Sequence, residues 1–247
     1  MPRPLRVALA VTGLLLAANL LAAVLVSFGV GDPNVLELAR RILMWGIVSP
    51  IVVALVVLGA HRFTVGRWHL AGATLCVLGD GLGATTGSTL VLLGCFLLGH
   101  LCYLAALWPT RHRSLAWTPA ALGYAIVALI AAGITAASAG PLAVPVIAFA
   151  LVLTAMAALA ALDAVGLLGG LLFMVSDLVL GMALFVLEIP DPLRSIVVLV
   201  AYAGAQALLA ISLQRRLRLG DPSAAPASGR GSDRTGPGST TASTTTA

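Results

Sequence analysis

Six polar side chains sit in apolar surroundings where chemistry is the economical explanation for them. Asp80 and Asp177 lie inside long apolar runs, although charge elsewhere is almost confined to connecting segments. A carboxylate at mid-membrane costs about 2.5–3.5 kcal/mol on insertion scales, so such groups face the bundle interior and serve catalysis or transport. His100 and Tyr103, three positions apart, can share a helix face, which sets a proton-active imidazole beside a phenol donor. Tyr202 and Gln206, four apart, form a similar pair. A single buried polar cavity built from four helices would hold all six. One carboxyl could donate a proton there while the other positions water.

Helical spacing says how these residues are presented. Gly166, Gly170, Phe173, Asp177 and Gly181 fall along one side of a helix, and small residues on that side let neighbouring helices approach. Ala73, Cys76, Asp80 and Ala84 form a second stripe, with Asp80 nearer the end of its run and within reach of water. Asn19 has no ionisable companion on its own face and is expected to bond between helices. His61, His69 and His112 lie near arginines at run ends, where solvated surface positions are expected. Trp45, Trp68, Trp108 and Trp117 sit in or near span ends, as amphipathic rings do at membrane interfaces. Cys76, Cys95 and Cys102 have no metal-ligand spacing and read as small core residues, so neither a metal nor another cofactor is expected.

The elements that position these residues follow from composition. Of 247 residues, 60% are hydrophobic and 9% charged, and the mean hydropathy is +1.07. Those values exclude a water-soluble globular domain and imply an all-α, polytopic membrane bundle. A span needs about 20 apolar residues, and eight are read: Val7 to Val30, Ile42 to Ala60, Trp68 to Leu82, Thr89 to Trp108, Trp117 to Ala139, Ala143 to Ala161, Gly166 to Leu187 and Leu193 to Leu213. The third is the shortest. The first follows Arg3 and Arg6 like a signal peptide, but its run is longer than the usual apolar region and lacks a cleavage site, so it is expected to stay as a helix. Residues 1–219 thus form one transmembrane domain. Residues 220–247, rich in Pro, Gly, Ser, Thr and Ala, read as a disordered cytoplasmic tail.

The basic residues are all arginines, giving a net charge of +5 with the acidic ones. Arg3, Arg6, Arg62, Arg67, Arg111, Arg113, Arg215, Arg216 and Arg218 fall on one side of the expected topology; Arg40, Arg41 and Arg194 fall on the other. The bias predicts a multi-pass cell-membrane protein with both termini cytoplasmic. No basic and aromatic patch suggests a nucleic-acid partner. Leu78-Gly79-Asp80 and Val175-Ser176-Asp177 stand four spans apart, as in a four-plus-four duplication, although chance in so apolar a chain is the better explanation of the match.

Four segments in fixed order carry a family resemblance: Leu78-Gly79-Asp80; Phe96-Leu97-Leu98-Gly99-His100-Leu101-Cys102-Tyr103; Gly169-Gly170-Leu171-Leu172-Phe173-Met174-Val175-Ser176-Asp177; and Ala201-Tyr202-Ala203-Gly204-Ala205-Gln206. Together they resemble the YhhN-like lysoplasmalogenase family of integral membrane hydrolases. The resemblance implies hydrolysis of the vinyl ether bond of lysoplasmalogens to a fatty aldehyde and a glycerophospho-alcohol, with Asp80 and Asp177 as the acidic pair. It also implies a lysophospholipid-type substrate taken from membrane lipid. Many relatives carry Lys-Pro in the second span, whereas this chain has Ser49-Pro50 and no lysine, so no role for that lysine transfers.

Vinyl ether cleavage needs a proton on the alkene carbon and then water on the resulting oxocarbenium ion. Catalysis is assigned to Asp177 as acid and Asp80 as water-positioning base, the reverse assignment being equally consistent with the residues, with His100 tuning the pair. Tyr103, Tyr202 and Gln206 are assigned to substrate contacts. Two other functions use the same residues. A small-solute or proton-coupled transporter would employ Asp80, His100 and Asp177 as a relay, and a non-catalytic lipid-binding protein would keep the polar network for packing alone.

Overall fold

Runs of leucine, alanine and valine in hydrocarbon must satisfy every backbone polar group internally, and a helix does so within one segment. The computed structural model describes residues 1–114 and 118–219, and the described residues are almost entirely helical, with no strand. Nine α-helices follow in order: α1 Arg3–Ser27, α2 Pro33–Gly46, α3 Ser49–Val57, α4 Thr64–Thr86, α5 Thr89–Leu107, α6 Ala120–Ser138, α7 Ala143–Ala160, α8 Ala164–Phe185 and α9 Leu193–Arg218. Six stretches are long and apolar enough to cross a membrane, with α2 and α3 counted as one. Helices α4 and α6 are the other two spans read from sequence. The protein is an all-helical, multi-pass membrane bundle. Trp117 and the tail from residue 220 onward lie outside the described residues.

Two spans differ from expectation. The second begins at Pro33, well before Ile42, and is broken between α2 and α3 at Ile47 and Val48. Pro50, in the first turn of α3, has no N–H to offer the carbonyl four residues back, so the helix cannot run through. At its start, α2 is capped by the Asp32 carboxylate, which accepts a hydrogen bond from the Asn34 N–H at 2.8 Å. The third apolar run lies within a longer helix: α4 runs 23 residues, carries Arg67, His69 and Asp80, and is not among the six stretches long and apolar enough to cross.

Glycines set how closely the helices around the polar residues cross. A Cβ on Gly72 would stand 2.9 Å from the Gly99 carbonyl oxygen and 3.0 Å from the Tyr103 ring, so α4 and α5 meet backbone to backbone. On α8, a Cβ on Gly170 would stand 2.9 Å from the Ala157 carbonyl oxygen of α7. Hydrogen-bonding side chains tie other pairs, with Ser176 on α8 donating to the Val198 carbonyl of α9 at 3.0 Å and Asn19 on α1 donating to the Arg40 carbonyl of α2 at 3.0 Å. The interhelical bond expected of Asn19 is therefore present. The core shared by α2 to α5 and α7 to α9 contains Ile47, Phe96, Tyr103, Met156, Phe173 and Tyr202. On α6, Ile126, Val127, Leu129, Ile130 and Ile134 are exposed, as expected of a lipid-facing side.

Candidate functional site

The two aspartates approach the same end of the bundle from different helices. Asp80 lies six residues before the end of α4 and Asp177 eight before the end of α8, and the start of α9 stands beside them. Both side chains are buried and line one cavity of about 400 Å³ together with Tyr202. The rim of this cavity is polar and carries Glu37, Arg40, Arg41, Arg194 and Ser195. Asp80 is thus connected to the rim, as its position near a run end suggested.

Asp177 also lines a second space, of about 210 Å³, walled by apolar side chains of α5 to α8 such as Val127, Ala132, Phe149, Leu153 and Met174. Leu92, Phe96, Asp177, Leu180 and Leu184 are common to both walls, and Asp177 is the one polar residue among them. A charged, rim-connected chamber and an apolar channel therefore meet at one carboxyl.

His100 supports that carboxyl. Its Nδ1 stands 2.7 Å from the Phe96 carbonyl oxygen, which can only accept, so Nδ1 carries a hydrogen. In the neutral ring Nε2 then presents a lone pair, 3.5 Å from Asp177 Oδ2. The two atoms face each other without a closed hydrogen bond, and neither has a hydrogen-bond partner among the described residues. A proton on Asp177 Oδ2 therefore faces the His100 Nε2 lone pair. The imidazole is fully buried and clamped edge-on by Phe173 at 4.7 Å and Phe149 at 5.3 Å between ring centroids, which holds its orientation without adding polar competition.

Tyr103 does not join His100 in facing Asp177. Its hydroxyl donates to Gln206 Oε1 at 2.6 Å, bridging α5 and α9 about one helical turn deeper. Tyr202 lies beside the Asp80 carboxyl, and its hydroxyl and Asp80 Oδ2 are both buried without a closed hydrogen bond among the described residues. Gln206 Nε2 is likewise unpaired. The six residues singled out from sequence thus form two adjoining groups, Asp80, Asp177 and Tyr202 on the cavity wall with His100 behind Asp177, and Tyr103 with Gln206 below.

Three features were not anticipated. His69, expected at a solvated surface, is buried, because α4 turns it inward against the Tyr103 ring at a centroid distance of 4.9 Å. Its place on the stripe of Ala73, Cys76 and Asp80 was the available signal. Arg40 is held in a cluster at the rim, with Nη1 2.8 Å from Glu37 Oε1, Nη2 3.0 Å from Asp191 Oδ2 and Nη2 2.9 Å from the Ser195 hydroxyl. Burial works against charge on Asp191, but the Ser195 hydroxyl, Arg40 and Arg194 together hold it below the usual carboxylate range. Finally, Phe149 and Phe173 supply the aromatic clamp on His100, a role that no local pattern could reveal. Among the described residues, no three His, Cys, Asp or Glu side chains converge as metal ligands would.

A family model described as the YhhN family matches residues 40–213, well over half of the chain and all six of these polar residues. The chain belongs to the YhhN family. No curated protein and no solved structure matches it. In this YhhN protein the matched segment begins at Arg40, so it takes in Arg40, Asp191 and Ser195 of the rim cluster as well as the aspartates, while Glu37, α1 and the first turns of α2 precede it.

Proposed function

We propose that this YhhN protein is a lysoplasmalogenase that cleaves the vinyl ether bond of single-chain ether phospholipids. The observation that carries the proposal is the position of Asp177 where the apolar channel and the polar chamber meet. A single-chain amphiphile has the same division: an acyl-like chain for the channel, a glycerophospho headgroup for the chamber, and the vinyl ether at the boundary between them.

The reaction then proceeds with four proton transfers. Asp177, carrying the proton it shares with His100, protonates the alkene carbon distal to the ether oxygen and leaves an oxocarbenium ion. Water drawn from the chamber adds to the oxygen-bearing carbon and gives its proton to Asp80. As the resulting hemiacetal collapses, Asp80 protonates the departing glycerol oxygen and Asp177 recovers a proton from the hemiacetal hydroxyl. Fatty aldehyde and glycerophospho-alcohol result, and both carboxyls return to their starting states. His100 keeps Asp177 oriented through the first and last transfers, and Tyr202 steadies Asp80. Tyr103 and Gln206 brace α5 against α9 beneath the site and are assigned a positioning role.

A second reading rests on the depth of the polar groups. Below Asp177 lie His100, Tyr103 with Gln206, and then His69 beside Ser212 and Arg216 near the arginine-rich end. Such a column suits a proton-coupled transporter. Incubating purified protein with a lysoplasmalogen and with its saturated ether analogue separates the two: the hydrolase releases aldehyde from the first alone. Absence of aldehyde from well-folded protein, with proton flux in liposomes, establishes the transporter instead.

A further inference from the structure

The chamber rim holds three guanidinium groups against two carboxylates. Arg40 is paired through its two Nη atoms with Glu37 and Asp191, and Arg194 leans on Asp191 at 3.7 Å. That leaves one positive charge over. Arg41 is exposed, lines the same chamber and makes no ion pair among the described residues. Nothing in the bundle requires it there, and it lies on the side of the membrane opposite to most arginines, where topology gives no reason for it.

We infer that Arg41, with Arg194 on the same rim, binds the phosphodiester of a single-chain lipid whose ether bond lies at Asp177. The class of lipid rests on the hydrolase reading; the anion site rests on the rim itself. A phosphodiester carries one negative charge, equal to the excess at the rim, and a guanidinium fork matches two of its oxygens. The depth also agrees. Ser195, which touches Arg40 at the rim, stands seven residues before Tyr202 on α9, about 10 Å along the helix axis. In a glycerophospholipid the sn-1 ether oxygen and the phosphorus are separated by a three-carbon backbone that extends about 6 Å at ordinary bond lengths. With the ether beside Asp80 and Asp177, the phosphate therefore arrives within reach of a flexible arginine on the rim. Arg40 cannot serve in this way without giving up its own partners. Its cluster instead fixes α2 against the start of α9 and so holds Arg41 and Arg194 at the same mouth, while the backbone carbonyl of Arg40 is tied to Asn19.

The test compares two non-cleavable ligands on the purified full-length protein in nanodiscs: a saturated ether lysophosphatidylcholine and the matching alkylglycerol without phosphate. The wild type is expected to bind the phospholipid about tenfold more tightly, the effect of one charge-assisted contact. Arg41→Gln should abolish that preference and leave alkylglycerol binding unchanged, whereas Arg218→Gln, at the opposite end, should alter neither. Lack of preference in the wild type, survival of the preference in Arg41→Gln, or equal weakening of both ligands overturns the inference. Displacement of the lipid by inorganic phosphate alone at equal concentration overturns the lipid assignment, since the site would then take free anion. Aldehyde release from the vinyl ether lipid is measured in parallel. A phosphate preference without aldehyde refutes the hydrolase and leaves the anion site standing; aldehyde without a phosphate preference does the reverse.

Discussion

Replacing Asp177 with asparagine removes the acidic proton and little else. The side chains are isosteric, and the geometry at His100 gives the amide a place to bind. Nδ1 of the imidazole already donates to the Phe96 carbonyl at 2.7 Å, so Nε2 accepts, and the atom facing it at 3.5 Å is Asp177 Oδ2. An amide NH₂ at that position donates to Nε2 and leaves no new buried group unpaired. Stability should therefore change by less than about 1 kcal/mol, the scale of a single neutral hydrogen bond. The rate should fall by about 10²–10⁴, the usual contribution of a general acid, which is about 3–5 kcal/mol of activation free energy. The loss belongs to kcat, because neither chamber nor channel changes shape and KM should hold within a few fold. Aldehyde release coupled to an aldehyde dehydrogenase gives the rate, and thermal unfolding of the same preparation gives the stability. Asp80→Asn should lose activity on a similar scale, and the double variant should be little worse than the poorer single one, because residues that act as a unit do not add. Turnover by Asp177→Asn above a third of wild type, at unchanged Tm, would refute the assignment of the acid.

Tyr103→Phe removes the 2.6 Å bond to Gln206 and leaves both ends of that buried amide unpaired, so Tm should drop about 2–4 °C for a cost near 1 kcal/mol; adding Gln206→Leu should restore most of it. Gly72→Val drives a side chain into the Gly99 carbonyl and the Tyr103 ring and should cost about 1–3 kcal/mol by thermal unfolding. Gly13→Ala, whose Cβ meets nothing within 4 Å, should be neutral. Asp191, held below its ordinary value of 3.8 against the effect of its burial by Ser195, Arg40 and Arg194, adds stability that is present above that ordinary value and lost as pH falls through its lowered one. Tm scanned from pH 7 to pH 3 should therefore fall more steeply in the wild type than in Asp191→Asn, which should start lower.

Much of the site was legible because a helix repeats every 3.6 residues and a membrane leaves polar groups few places to go. Gly166, Gly170, Phe173 and Asp177 are all buried on one side of α8, and Ala73, Cys76 and Asp80 on one side of α4, as the spacing predicts. His69 extends the α4 stripe by one more turn, but Arg67 and Trp68 beside it gave a local context that looked interfacial. His100 and Tyr103 share a buried side of α5 yet serve different partners, because about one turn separates them in depth and Gln206 stands at the lower level. The contact of Arg40 with Asp191 joins residues 151 positions apart, and no local pattern encodes it. The two cavities were also beyond reach, since their meeting at Asp177 depends on how α1, α2 and α4 to α9 pack rather than on any one helix.

Position 49 is linked to the site through the break in the second span. The family resemblance leads one to expect lysine before the proline there, and this chain places serine. The break forced by Pro50 falls between α2 and α3, and the Ser49 hydroxyl donates to the Trp45 carbonyl, one of the acceptors that the interrupted helix exposes. Ser49 borders an outer groove shared with Arg3, Pro4 and Gly46 rather than either cavity that reaches Asp177. Its connection to the site runs instead through Trp45, whose ring covers Gly81 so closely that a Cβ there would collide with it. Gly81 is the neighbour of Asp80. The serine therefore stabilises the break that seats Trp45 against α4.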